Sequence, residues 1–401
     1  MLCACSLLFV SVAIGLVLLP RTAPCAEPAD AAIIARSHTR QSGAEPIRIA
    51  VALPLSGPRR ALGAAVRERL DRLVADIEAH GGRAGRPIDL EIHDDACSRE
   101  AAAELAHRLI ATQPLPVLVI GHPCGVAAIT AAPIYQQAGI LFIAAGTRHP
   151  KLTEERAGPL VLRAAGRDDR QGMEAGLRLR GLAGESGATI IVHDRTVMAR
   201  TLATAARTAL ATANAPAPIE LQMVAGEADY SRIVTAIAAA NPAAVLFLGF
   251  PAEAAILLRQ LRQAGIGTPV LTNDAMATRE FVDHAGDLLS SHVEVMLPVS
   301  IDPTGHAEAE TADGLAASDA AAALTLWTAA VAATGSDEPA RIAEHLRTGP
   351  QGPYGITFDQ KGDAQMPSYA SFRYIGGAWQ QAGGSVDARN PPAAHTTGAA
   401  H

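Results

Sequence analysis

From Ile47 onward, short apolar, β-branched runs alternate with helix-length amphipathic stretches. The runs at 47–53, 88–93, 116–120 and 140–144 read as strands, and the stretches at 61–80, 99–112 and 126–138 as helices. In the first helix the apolar positions Val66, Leu70, Leu73, Val74 and Ile77 fall on one face, and Gly81-Gly82 ends it. Continuously apolar strands separated by helices can bury both faces only as a parallel sheet between two helical layers. Right-handed crossovers then carry the loop after every strand to one edge of that sheet, the edge where open α/β folds bind ligands.

A second series follows. Helix 169–181 leads to strands at 188–192, 218–224, 244–248, 269–272 and 291–298, with helices at 199–213, 230–240 and 252–264 between them. A long helix at 313–334, a helix at 337–347 and late strands at 353–358 and 369–375 close the pattern. The fold class expected is α/β, as two doubly wound lobes with a hinge and an interlobe cleft. Lobe 1 would take residues 46–163 with 298–350, and lobe 2 residues 164–297 with 351–382. Periodicity alone does not separate this arrangement from two fused enzyme domains.

The N-terminus reads as an export signal over residues 1–26. Leu7 to Leu19 is apolar and leads into Pro20-Arg21-Thr22-Ala23-Pro24-Cys25-Ala26, with cleavage expected after Ala26. A lipoprotein anchor at Cys25 is the less favoured alternative, since Thr22 stands where leucine is usual. The apolar run is too short to be read as a membrane span. Residues 27–45 read as a linker, and 383–401, rich in Pro, Gly, Ala, Ser and Thr, as a disordered tail.

With Cys3, Cys5 and Cys25 removed, the exported chain keeps two thiols, Cys97 and Cys124, each closing a strand run of consecutive βα units. An oxidising compartment points to one disulfide between them, with two unlinked buried thiols as the alternative. Composition narrows the function. Hydrophobic residues at 49% with 18% charged residues describe a globular chain, and a net charge of −7 without a basic cluster argues against nucleic acid. No G-x-G-x-x-G follows a strand, and there is no P-loop, G-x-S-x-G elbow or H-E-x-x-H. No enzyme activity, cofactor or metal site is therefore expected.

The loop sequences are more specific. Leu55-Ser56-Gly57-Pro58 follows the first strand, Asp94-Asp95-Ala96-Cys97 the second and Gly121-His122-Pro123-Cys124 the third, with Pro150-Lys151-Leu152-Thr153 after the fourth. Arg163-Ala164-Ala165-Gly166, with Asp168 and Gln171-Gly172, opens the second series. Gly226-Glu227-Ala228-Asp229-Tyr230-Ser231, Thr334-Gly335-Ser336-Asp337-Glu338-Pro339 and Phe358-Asp359-Gln360-Lys361-Gly362-Asp363 complete the set. In order and spacing, over about residues 46–380, the chain resembles the periplasmic leucine/isoleucine/valine-binding proteins, the type I solute-binding components of ABC importers. The resemblance implies a disulfide between Cys97 and Cys124. Closing that loop would contribute on the order of 3 kcal/mol in the chain-entropy model. It further implies a periplasmic protein that hands a small-molecule ligand to an ABC permease in the inner membrane.

The same resemblance supplies candidate ligand residues. The family holds an amino acid by its carboxylate on lobe 1 and its ammonium on lobe 2. Gly125 stands where the family has a serine, and keeps the backbone N–H at a helix start. Thr147 matches a small residue with a backbone contact. Arg148 replaces the carboxylate-binding threonine; it can clamp a carboxylate with two parallel hydrogen bonds, or be a solvated surface residue. Asp274 matches the acid that holds the ammonium, the alternative being a helix N-cap. Phe250 stands for a tyrosine, Met198 falls at a Tyr-Gly pair, Leu62 at an aromatic wall, and Ala316 at another tyrosine. Lost rings and hydroxyls make the expected pocket wider and less polar than the family's. The expected ligand is an amino acid or related carboxylate-bearing compound, larger or more apolar than leucine, taken up by lobe closure about crossings near 163, 298 and 350. A second reading keeps the fold but feeds a signalling partner instead of a permease.

Overall fold

The computed structural model describes residues 45–382, apart from positions 84, 156, 290, 291, 300–311 and 351. The expected signal segment 1–26, linker residues 27–44 and tail 383–401 lie outside the described residues. In the first lobe the elements run β1 (Ile47–Leu53), α1 (Arg60–Ala79), β2 (Ile88–Asp94), α2 (Arg99–Ile110), β3 (Leu118–Gly121), α3 (Gly125–Gln137), β4 (Leu141–Ala144), α4 (Lys151–Glu154) and β5 (Val161–Arg163). The strands form one parallel sheet in the order β2-β1-β3-β4-β5.

The second lobe runs α5 (Gln171–Ala183), β6 (Thr189–His193), α6 (Val197–Thr212), β7 (Ile219–Gln222), α7 (Ser231–Ala240), β8 (Ala244–Leu248), α8 (Pro251–Gln263), β9 (Val270–Thr272), α9 (Arg279–Ala285) and β10 (Val293–Pro298). The chain continues as α10 (Ala312–Thr334), α11 (Pro339–Thr348), β11 (Tyr369–Ile375) and β12 (Ala378–Gln381). The second sheet has the order β12-β11-β10-β9-β8-β6-β7, parallel except for its β11 and β12 edge.

Each sheet carries one apolar cluster per face, as the unbroken apolar strands require. In lobe 1, Ile49, Val51 and Ile120 face α1, α10 and α11, while Ala50, Val119 and Phe142 face α2 and α3. In lobe 2, Val245 and Phe247 face α7, α8 and α9, while Ile191 and Leu246 face α5 and α6. Helix α10 is long and apolar enough to cross a membrane, but most of it is buried against lobe 1, with Trp327 fully covered. Apolar residues all round a helix are what a core position demands.

Two expectations are corrected here. The run at 353–358 is not a strand: Pro353–Gly355 is a 3-10 turn with Tyr354 in the left-handed region, and only Phe358 pairs, in an isolated bridge with Ala364. The punctuation Gly352-Pro353-Tyr354-Gly355 overrides the β-branched pattern. The crossing expected near 350 lies later. Ile356, Phe358 and Ala364 pack in the lobe 1 core and Asp363 bridges to Arg163, so the chain enters the second sheet only at Tyr369. The other crossings run from Arg163 to α5 and out of β10 past Pro298.

Candidate functional site

The loops after β1, β2, β3 and β4 lie together at one edge of the first sheet, where two carboxylates, half-buried Asp94 and fully buried Asp95, tie the first three of them together. Asp94 Oδ1 accepts the N–H groups of Leu55 at 2.8 Å, Ser56 at 3.3 Å and Ala96 at 2.8 Å. Burial pushes this carboxyl up, but those bonds and the Ser56 hydroxyl outweigh it and hold it below its ordinary value. Asp95, fully buried, accepts the Cys97 N–H at 2.9 Å and meets His122 Nδ1 at 2.8 Å, while His122 Nε2 lies 3.0 Å from the Tyr135 hydroxyl. Ala96, Cys97 and His122 all have positive φ, a conformation these residues adopt only when their surroundings enforce it.

Cys97 and Cys124 are bonded, with Cα atoms 5.4 Å apart. The bridge joins the loops after β2 and β3, and Cys124 is the residue that precedes α3. Gly121 is required at the end of β3, three residues before Cys124: its φ is +122°, and a Cβ there would sit 2.2 Å from the Ala52 carbonyl oxygen. The bridge and the Asp95–His122–Tyr135 chain therefore hold the start of α3 from two sides.

Gly125 is the first residue of α3, where backbone N–H groups lack intrahelical acceptors. A Cβ on it would lie 3.0 Å from His149 Cβ and 3.3 Å from Thr147 Oγ1. Gly125, Thr147 and His149 are thus neighbours, and a side chain at 125 would require His149 to give way by a few tenths of an ångström. Thr147 is buried, and its hydroxyl has no hydrogen-bond partner among the described residues. Ala316 of α10 packs beside it, because Gly146 (φ +80°) brings the loop so close that a Cβ there would be 2.8 Å from Ala316 Cβ.

Arg148 points elsewhere. Its side chain is only 10% exposed, with Nε 3.3 Å from Asp168 Oδ1. Nη2 donates to the Ser368 carbonyl at 2.5 Å and Nη1 to the Val299 carbonyl at 3.5 Å, and the guanidinium stands 5.3 Å from the centroid of the Tyr369 ring. The guanidinium is engaged by the hinge rather than standing unpaired in the cleft. Leu62 likewise sits inside the lobe 1 core.

On the second lobe, strand order sets the loops after β6, β8 and β9 side by side. They lead to Met198 in the first turn of α6, 40% exposed, to Phe250 just before α8, 45% exposed, and to Asp274 at the start of a 3-10 turn. Asp274 is half-buried. Burial raises its carboxyl and the charge of Asp168 adds to that, against the Gln171 side chain and nearby backbone N–H groups. Asp194 Oδ2 and Asn273 Nδ2, in the loops after β6 and β9, are buried without hydrogen-bond partners among the described residues. Sequence reasoning passed over these two and gave Asp168 no role. Their signal was position, one residue past a strand at the loop edge.

Residues 46–285, more than half of the chain, match the family model for the periplasmic binding proteins. The chain belongs to the periplasmic binding protein family. This binding protein is 30% identical over 372 residues to the Leu/Ile/Val-binding protein of Escherichia coli K12, across 90% of this chain and 98% of that protein. It is 30% identical over 339 residues to an amino acid binding protein of Pseudomonas aeruginosa, across 81% and 89%. The crystal structure of an ABC transporter substrate-binding protein from Desulfitobacterium hafniense in complex with Leu superposes on it with a TM-score of 0.60 at 20% identity, over 84% of this chain and all of that one. The two-lobed α/β fold expected from the sequence is the family's fold.

Proposed function

We propose that the protein is the periplasmic solute-binding component of an ABC importer. It takes up an amino acid or a related carboxylate-bearing small molecule between its lobes and delivers it to an inner-membrane permease. The observation that carries this reading is the unpartnered, buried Thr147 hydroxyl beside Gly125 at the start of α3. A carboxylate is the group that would accept both that hydroxyl and the N–H groups of a helix N-terminus. Asp274, on the other lobe, would receive an ammonium. Phe250 and Met198 would supply apolar wall, with Leu62 backing the first lobe from its core and Arg148 steadying the loop that carries Thr147.

Closure follows from this division of roles. A ligand seated on Gly125 and Thr147 favours the closed form only through the further interactions that Phe250, Met198 and Asp274 make with it once the lobes meet. With exposed Met and Phe in place of hydroxyl-bearing rings, those interactions reward apolar bulk more than hydrogen bonding. The relatives' names support an amino acid, and the changed walls support one bulkier than leucine or an apolar carboxylate. Calorimetric titration against a panel of amino acids, aliphatic acids and aromatic acids tests this. Tight binding of leucine to the exclusion of larger compounds would overturn the ligand assignment.

A further inference from the structure

We infer that Arg148 is a positioning residue that ties the ligand loop to all three passages between the lobes and so holds the lobes in the arrangement seen here. The inference rests on the reading that the protein binds by lobe closure. The three passages meet at one side chain: Asp168 belongs to the first, Val299 to the second, and Ser368 and Tyr369 to the third. The loop itself joins in, because the Arg148 carbonyl accepts the Asp168 N–H at 3.1 Å. The Tyr369 hydroxyl also lies 3.4 Å from Asp168 Oδ1, so the ion pair is braced from the third passage.

The space for this side chain is built in. A Cβ on Gly166 would come 2.3 Å from Arg148 Nη2 and 2.8 Å from Ser368 Cα, so the guanidinium passes where any other residue at 166 would stand. A planar group with several fixed donors can serve two carbonyls through Nη1 and Nη2 while its charge faces the Asp168 carboxylate. One residue earlier in the chain, Thr147 faces Gly125. A ligand that moves Thr147 therefore moves the backbone that carries the hinge bonds.

The test uses the ligand-free mature protein, with amide hydrogen exchange and small-angle X-ray scattering as readouts. Arg148→Met is expected to speed exchange across 164–169 and 366–369 by about tenfold and to broaden the scattering profile, while the sheet cores at 189–193 and 244–248 stay protected. Arg148→Lys, which keeps the charge but not the fork, should fall between the two. Unchanged hinge exchange and scattering in Arg148→Met would overturn the inference, and so would acceleration spread evenly over both sheets, which would mark a merely structural arginine. If Arg148→Met does not fold, Asp168→Asn decides. That change lies on a half-exposed side chain, and should speed exchange at 166–169 by about threefold; no change there refutes the proposal. None of these readouts needs a ligand, so they succeed or fail apart from the transport reading.

Discussion

Replacing Asp363 should be the costliest single change at the hinge. Its carboxylate accepts Arg163 Nε at 2.8 Å and Nη2 at 2.5 Å, Arg167 Nη1 at 3.0 Å and the Thr153 hydroxyl at 3.0 Å. The Arg163 side chain is wholly buried, and that of Asp363 is 2% exposed. Burial alone would raise the Asp363 carboxyl, but the Arg163 charge and these bonds outweigh it and hold it below its ordinary value. In Asp363→Ala, Arg163 keeps the His149 carbonyl and Thr153 as partners but loses its counter-charge. An uncompensated buried charge costs roughly 3–5 kcal/mol. Asp363→Asn keeps the volume and one acceptor but also removes the counter-charge, and should cost about 3 kcal/mol, at the low end of that range. The double change Arg163→Met with Asp363→Leu should recover most of the loss, giving a coupling of about 2 kcal/mol or more. Urea unfolding followed by circular dichroism of the wild type, Arg163→Met, Asp363→Leu and the double variant supplies the four corners of the cycle. A loss below about 1 kcal/mol in Asp363→Ala, or additive single changes, would refute the claim that this pair is buried and mutually dependent.

The site and its scaffold yield further expectations. Reducing the Cys97–Cys124 bridge should lower stability by about 3 kcal/mol, read as a shift in urea midpoint with and without reductant. Burial pushes the Glu174 carboxyl up to about 7 against the N–H groups of Ser368 and Tyr369 that it accepts. The folded state therefore keeps this proton to higher pH, and its contribution is fully present below the ordinary glutamate value and lost as pH rises through 7. Relative to Glu174→Gln, the wild type should lose on the order of 3 kcal/mol between pH 4.5 and pH 8, measured by chemical denaturation; parallel curves would refute it. Asp274→Ala should weaken an amine-bearing ligand roughly tenfold and leave a simple carboxylate unaffected, by calorimetry. In the wild type, binding of the amine should fall as pH drops through the raised Asp274 titration. Gly125→Ser should weaken binding, because the added atoms meet His149 and Thr147; a gain in affinity would show that His149 yields.

The strand and helix order was readable because both sheets are buried on both faces, which leaves apolar runs such as Ala244–Leu248 with no other use. The disulfide was readable because Cys97 and Cys124 each follow a strand of consecutive βα units, and the other three cysteines fall in the expected signal segment. The failures are local. At 353–358, proline and glycine decided the backbone where β-branched residues suggested a strand. Arg148 was read from its position in the ligand loop. Its actual partners sit at residues 168, 299 and 368, and no sequence period connects those to it. The role of Gly125 depends on how closely His149 approaches it, which is a tertiary fact. Asp194 and Asn273 carried only the weak signal of lying just past a strand.

Whether this protein closes its two lobes on a small carboxylate held at Gly125 and Thr147 is decided by isothermal titration of the purified protein against amino acids and simple carboxylic acids. One site per chain is expected, filled by a carboxylate-bearing compound with a negative heat-capacity change as the apolar walls close, and lost when that carboxylate is converted to an amide. Binding that survives amidation unchanged, or no binding by any carboxylate in the panel, would refute it.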